Sequence, residues 1–186
     1  MTVANMITIL RFLLVPAVIY WLLVGDWRLA FAGFVVAGIS DGLDGFVARH
    51  FNQRSKLGGY LDPMADKLLL VSVFIVLGLL GELPLWLVIA AVSRDGLIVG
   101  AVVLSSMIGS PVEVKPLMVS KANTAIQIVL AAVVLAELAL ATDFGPLRLA
   151  LIILSGLLTV ASAGAYLVAW LRHMSRYGEG GPDPGQ

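Results

Sequence analysis

The sequence predicts an all-α, polytopic membrane protein of six transmembrane helices with a cytoplasmic-side active site. Three observations carry that expectation. The 186 residues are 60% hydrophobic and 13% charged, with mean hydropathy +0.99, which is more apolar surface than one soluble core of this size needs. The apolar residues fall into runs of about 20, the length that crosses ~30 Å of hydrocarbon at ~1.5 Å per residue. Short Gly, Pro and Asp clusters separate the runs. Formal net charge is zero, so nothing global points to nucleic acid. The absence of cysteine excludes disulfides, thiolate metal sites and cysteine nucleophiles, and His50 and His173 are too distant in sequence to suggest a histidine-rich zinc site.

The first span is expected at 4–25. Its start lacks a basic region and a small-residue cleavage site and carries Arg11 inside the apolar run, so it reads as a retained helix. Gly25-Asp26 turns the chain into a second span at 28–49, and a polar stretch leads to a third at 58–81. Gly81-Glu82-Leu83-Pro84 opens a fourth at 84–107. Gly109-Ser110-Pro111 separates it from a fifth at 117–142, and Asp143-Phe144-Gly145-Pro146 introduces a sixth at 146–172. One catalytic membrane domain is expected over 1–173, with the Gly/Pro-rich stretch 174–186 as a disordered tail. No repeat of 20–50 residues is visible.

Basic residues orient the spans. Arg49, Arg54 and Lys56 lie between the second and third, Lys115 and Lys121 between the fourth and fifth, and Arg172 and Arg176 after the sixth. The opposite connections hold Arg28 and Arg148, each near an acid, Asp26 or Asp143. Both termini and the segment 41–67 are therefore expected on the cytoplasmic side of a bacterial inner membrane.

That segment holds Asp41, Asp44, Asp62 and Asp66. Carboxylates in or near a bilayer are costly unless they face water, a cation or a partner, so an acid there marks function by default. On a helix Asp41 and Asp44 share a face with Gly45 and Ala48, whose small side chains leave a slot beside them. Gly58, Asp62 and Asp66 recur every four residues along another face, although Pro63 is expected to start or kink the helix near them. Two facing carboxylate pairs repel unless cations neutralise them, which suits two divalent ions about 3.5–4 Å apart clamping a phosphoryl group. All-oxygen ligation favours Mg²⁺ or Mn²⁺. The competing reading is structural: helix caps or buried ion pairs.

Asp41-Gly-Leu-Asp44-Gly45-Phe-Val-Ala48-Arg49, eight residues, Gly58, three residues, Asp62, three residues, Asp66 resembles the complete signature of the CDP-alcohol phosphatidyltransferases, with every position filled. The six spans resemble that family as well. The resemblance implies an enzyme that displaces CMP from a CDP-linked lipid, usually CDP-diacylglycerol, with an alcohol. It assigns two metals to Asp41, Asp44, Asp62 and Asp66. Gly45, Ala48, Arg49 and Gly58 would line the cytidine-diphosphate site, with Asp44 and Thr8 beside them. Asp66 and Asp62 would be the catalytic carboxylates, Asp66 the base for the attacking hydroxyl. Arg49 can donate in bidentate fashion to phosphate, and Lys67 either contributes or extends to the interface. Relatives in the family are commonly homodimers, so a homodimer is expected.

The remaining polar residues within the spans should choose the alcohol. Asn5, Thr8 and Arg11 recur every three residues on the first helix, and a similar stripe points towards the active site in the family's phosphatidylglycerophosphate and cardiolipin synthases. Arg94 beside Asp95 reads as an internal ion pair or as half of an acceptor site. Lys115-Pro-Leu-Met-Val-Ser-Lys121-Ala-Asn123-Thr124-Ala-Ile-Gln127 resembles the matching segment of eukaryotic-type cardiolipin synthases, as does Ser93-Arg94-Asp95. Phosphatidylglycerophosphate synthases commonly carry a second lysine where Asn123 stands. Glycerol 3-phosphate, of charge near −2, calls for clustered cations, whereas the neutral glycerol head of phosphatidylglycerol suits Asn123, Thr124 and Gln127. The acceptor set is thus Arg11, Arg94, Lys115, Lys121, Asn123 and Gln127. The expected reaction joins CDP-diacylglycerol to phosphatidylglycerol, giving cardiolipin and CMP. Phosphatidylglycerophosphate synthesis is the alternative; a cation transporter or channel lined by aspartates, or a non-enzymatic lipid-binding scaffold, ranks below both.

Overall fold

The computed structural model describes residues 3–51, 58–107 and 118–179, with side chains described over 13–40, 67–101 and 118–171. Six helices follow in order: α1 Val3–Val24, α2 Trp27–Phe51, α3 Gly58–Leu79, α4 Leu85–Met107, α5 Met118–Leu140 and α6 Gly145–Glu179. There is no strand among the described residues. Each expected span has its helix, with ends displaced by a few residues. Two differences are informative. Helix α3 begins at Gly58, ahead of Pro63, so the proline lies within its early turns instead of starting it. Helix α6 continues to Glu179, where an irregular tail was expected from 174, and the rest of that tail lies outside the described residues.

The odd helices α1, α3 and α5 end in one shared device. Asp26 N–H donates to Trp21 C=O, Glu82 N–H to Leu77 C=O, and Thr142 N–H to Glu137 C=O, at 2.9, 2.9 and 3.2 Å. These six-to-one bonds satisfy carbonyls that the helix end would leave orphaned, and they need a left-handed residue just before the donor. Gly25 (φ 79°), Gly81 (φ 80°) and Ala141 (φ 51°) fill that place. The next helices start at once. Asp26 Oδ1 accepts from Leu29 N–H at 3.3 Å, capping α2, and Asp143 Oδ1 accepts from Gly145 N–H at 2.7 Å as α6 begins. The bundle therefore has a tight end at these three turns. The segments 41–51 of α2 and 58–66 of α3 lie at the other.

Packing joins α1 to α2 and α3, α5 to α6 and α2, and α4 to α6. The core stripe runs through Val18 and Leu22, Phe34 and Ala37, Val73 and Leu77, Leu87, and Leu130, Val134 and Leu135. Close approach is set by small residues: a Cβ at Gly156 would lie 2.8 Å from the Trp86 ring, and one at Gly78 2.8 Å from Val88. Outward faces are apolar too, with Leu97, Val99, Leu157, Val160 and Leu171 all more than half exposed. A contiguous apolar exterior of this kind marks a lipid- or protein-facing surface. Among the described residues, Met118–Leu140 and Gly145–Leu171 are long and apolar enough to cross a membrane, and Leu13–Val24, Trp27–Ser40 and Lys67–Leu79 are shorter apolar stretches.

A charged clasp closes the tight end. Arg148 Nη1 donates to Glu137 Oε2 at 2.9 Å, and Nη2 to Glu82 Oε2 at 3.1 Å and to the Glu82 carbonyl. Glu137, 6% exposed, also accepts from Phe144 N–H at 2.8 Å through Oε1. Arg148 is thus paired with Glu137 and Glu82 instead of Asp143, because one turn of α6 carries its side chain back over α5 and the α3–α4 turn. Arg148→Met should destabilise the protein by about 1–3 kcal/mol, below the ~3–5 of a fully buried pair because Arg148 keeps some water contact. Ala141→Gly should stabilise it by about 0.5–1 kcal/mol by relieving the left-handed backbone. Unfolding in detergent checks both; an unchanged midpoint for either substitution would refute its account.

Candidate active site

Arg94 is the polar centre of the described bundle. It lies within α4 and is 2% exposed, so each N–H that it turns inward needs a partner. Nε and Nη2 donate to Ser162 Oγ of α6 at 3.1 and 2.7 Å, Nη2 also donates to Ser120 Oγ of α5, and Nη1 donates to Asp95 Oδ1 at 2.7 Å. The Tyr166 ring lies 5.9 Å from the guanidinium carbon, within reach of a cation–π attraction. Three helices meet on one side chain. The internal ion pair expected of Arg94 is present, and removing one member of such a buried pair ordinarily costs about 3–5 kcal/mol.

The pair extends to the acidic segment. Asp95 Oδ1 also accepts from Lys67 Nζ at 2.7 Å. Lys67 follows Asp66 directly on α3, and Ser120 precedes Lys121 directly on α5. One polar chain, Lys67–Asp95–Arg94–Ser120, therefore joins the helix carrying Asp62 and Asp66 to the helix carrying Lys121, Asn123 and Gln127.

Behind it, α5 and α6 share a polar seam. Thr159 Oγ1 donates to Asn123 Oδ1 at 3.0 Å, and Gln127 Nε2 donates to Thr159 Oγ1 at 3.4 Å. Asn123 is 0% exposed and Gln127 5%. Asn123 Nδ2 and Ser155 Oγ are buried without a hydrogen-bond partner among the described residues, which leaves polar capacity in the seam for a water or a substrate hydroxyl. Lys121 is exposed, and Thr124 Oγ1 returns its proton to the Ser120 carbonyl at 3.2 Å.

The expected site residues divide accordingly. Arg94, Lys121, Asn123 and Gln127 are described: Arg94, Asn123 and Gln127 bond between α4, α5 and α6, and Lys121 is exposed on α5. The side chains of Thr8, Arg11, Asp41, Asp44, Gly45, Ala48, Arg49, Gly58, Asp62 and Asp66 lie outside the described ones, as does Lys115 altogether. Their backbone is helical for the first ten, so Asp41 and Asp44 do sit one turn apart on α2, and Asp62 and Asp66 one turn apart on α3. Among the described residues there is no group of three metal-ligating side chains. The donor set itself fits a hard divalent ion: four carboxylates, in two pairs at helical spacing, with no sulfur or imidazole among them.

Sequence reasoning passed over Ser162, Thr159 and Tyr166. Their signal was available, since Ser155, Thr159, Ser162 and Tyr166 recur at three- and four-residue steps within the most apolar part of α6.

The family model for CDP-alcohol phosphatidyltransferase matches residues 1–169. A protein of Mycobacterium bovis provisionally named a cardiolipin synthase is 42% identical over 107 residues, covering 56% of this chain and 50% of that one. The human cardiolipin synthase (CMP-forming) is 36% identical over 151 residues, 73% of this chain and 50% of that one. A Mycobacterium tuberculosis protein provisionally named a phosphatidylglycerophosphate synthase is 36% identical over 98 residues, 50% of this chain and 47% of that one. The chain spans about half the length of the curated relatives it matches. With the complete acidic signature on α2 and α3 and a family match over nearly all of its helices, the chain belongs to the CDP-alcohol phosphatidyltransferase family.

Proposed function

We propose that the protein transfers a phosphatidyl group from CDP-diacylglycerol to phosphatidylglycerol, forming cardiolipin and releasing CMP. The observation that carries this reading is the polar chain from Lys67 to Ser120. It ties the acidic signature, which would activate a CDP-linked lipid, to the Lys115–Gln127 segment that resembles cardiolipin synthases. The relatives named for cardiolipin synthesis add to it. A second reading, phosphatidylglycerophosphate synthesis from glycerol 3-phosphate, is favoured by the M. tuberculosis relative.

In this reading all six helices cross a bacterial inner membrane, with both termini and the signature on the cytoplasmic side, and 1–173 is the catalytic domain. The protein works as a homodimer. Asp41, Asp44, Asp62 and Asp66 would hold two Mg²⁺ or Mn²⁺ ions, which when bound supply charge neutralisation for the diphosphate and the departing CMP. Thr8, Gly45, Ala48, Arg49 and Gly58 bind the cytidine diphosphate. Small side chains let it approach the backbone, and the Arg49 fork donates to phosphate oxygen. Asp66, with Asp62 beside it, takes the proton from the acceptor hydroxyl as that oxygen attacks the phosphatidyl phosphorus. The bond from this phosphorus to the bridging oxygen breaks, and CMP leaves with the electron pair.

The acceptor pocket is divided between contact and support. Arg11, Lys115 and Lys121 meet the phosphodiester of the incoming lipid. Arg94 and Gln127, already bonded to protein partners, fix the wall behind them, and Asn123 offers its unpartnered Nδ2 amide to the glycerol head.

Three outcomes test the reading. Mass spectrometry of the lipid products should find cardiolipin when purified protein receives CDP-diacylglycerol with phosphatidylglycerol, and no phosphatidylglycerophosphate with glycerol 3-phosphate; product only in the second reaction would replace the first reading by the second. Asp66→Asn should lower kcat by about 10²–10⁴-fold while CDP-diacylglycerol still binds, and unimpaired turnover would remove Asp66 from the base role. Lys121→Ala should raise the acceptor KM by roughly 3–10-fold, the loss of about one exposed charge-assisted contact, with the CDP-diacylglycerol KM unmoved. A raised KM for both substrates would argue against an acceptor role.

A further inference from the structure

Helices α3 and α4 leave the turn at 80–84 side by side, and at their near ends Gly78 lets Val88 close against α3. Lys67 lies twelve residues back from Leu79, and Asp95 ten residues on from Leu85. At ~1.5 Å per residue the Lys67–Asp95 pair therefore joins the helices about 15–18 Å from the turn, where a small rotation at the pivot becomes a large displacement. Asp95 cannot drift, because Arg94 of the same helix is held by Ser120 of α5 and Ser162 of α6 and itself donates to Asp95 Oδ1. Lys67 is the point where α3 is attached to that fixed group.

The attachment has a direction. Lys67 is 42% exposed but continues the stripe of α3 that holds Leu70, Phe74 and Leu77 in the core. On a helix it lies about 100° round from Asp66, while Asp62 and Asp66 differ by about 40°. Pinning Lys67 against α4 therefore fixes the angle of the face that carries both aspartates.

We propose that Lys67 and Asp95 are positioning residues: their ion pair sets the rotation of α3 and thereby presents Asp62 and Asp66 for metal binding. The proposal rests on the reading of the four aspartates as a metal set. It gives Lys67 a partner within the protein, in place of a phosphate or the membrane interface.

Two measurements on the purified full chain test it. The protein has no cysteine, so Leu68→Cys and Leu97→Cys, both outward-facing on α3 and α4, give a unique pair of spin labels. Lys67→Met should shift or broaden their distance distribution, and Lys67→Arg should restore it. Without substrates, Mn²⁺ affinity should fall at least about 10-fold in Lys67→Met, as when a group supporting a metal ligand is lost, and recover in Lys67→Arg. Arg148→Met, at the opposite end, should lower the unfolding midpoint with Mn²⁺ affinity unchanged. Asp95→Asn would strip the buried Arg94 of its carboxylate and endanger folding, so Lys67 bears the test. Parent-like Mn²⁺ affinity in Lys67→Met overturns the proposal, provided that Asp62→Asn does weaken Mn²⁺ binding. If Asp62→Asn leaves it unchanged, the metal reading is what fails, and an unaltered spin-label distance in Lys67→Met then overturns the strut itself.

Discussion

A buried guanidinium in an apolar bundle has to be satisfied, and the arrangement of four helices follows from how Arg94 is satisfied. Its donors reach α5 and α6, and its neighbour Asp95 reaches α3. In a medium that offers no competing water, each of these bonds is stronger than at a soluble surface, and each missing one more expensive. Apolar packing alone allows α4, α5 and α6 to slide against one another, since leucine against leucine has no register. The serines opposite Arg94 give them one.

The two ends of the bundle solve different problems. At the tight end, three helices terminate in the same left-handed cap and the Arg148–Glu137–Glu82 clasp draws two turns together. There one arginine is shared between two glutamates. Away from that end the polar groups are spread along the helix that carries Asp62 and Asp66, the Arg94 pair and the α5–α6 seam.

Much of this was legible in the residues. Apolar runs and Gly/Pro/Asp separators gave six helices within a few residues of their ends, because span length and turn chemistry are local properties. Asp41–Asp66 announced a site because four acids in so apolar a chain demand a reason. What could not be read were partnerships between distant helices. Arg148 was set beside Asp143 by proximity in sequence, whereas the fold gives it Glu137 and Glu82. Arg94 read as a partner of Asp95, and only its neighbours in space show Ser120 and Ser162 beside it. Asn123 and Gln127 read as partners of a lipid head, and the fold gives both of them Thr159 of α6 as well, since i to i+4 spacing fixes a face and not what the face meets. The sixth helix outran its apolar stretch because backbone hydrogen bonding continues where hydrophobicity stops.

The central claim is that the carboxylates of α2 and α3 drive a metal-dependent phosphatidyl transfer. The most direct measurement follows CMP and lipid product together as purified protein, CDP-diacylglycerol and phosphatidylglycerol are titrated with Mn²⁺ or Mg²⁺ after chelation. The account predicts CMP and cardiolipin in equal amounts, both absent in chelator and both restored by the ion. CMP release that survives chelation, or metal that restores neither product, would contradict it.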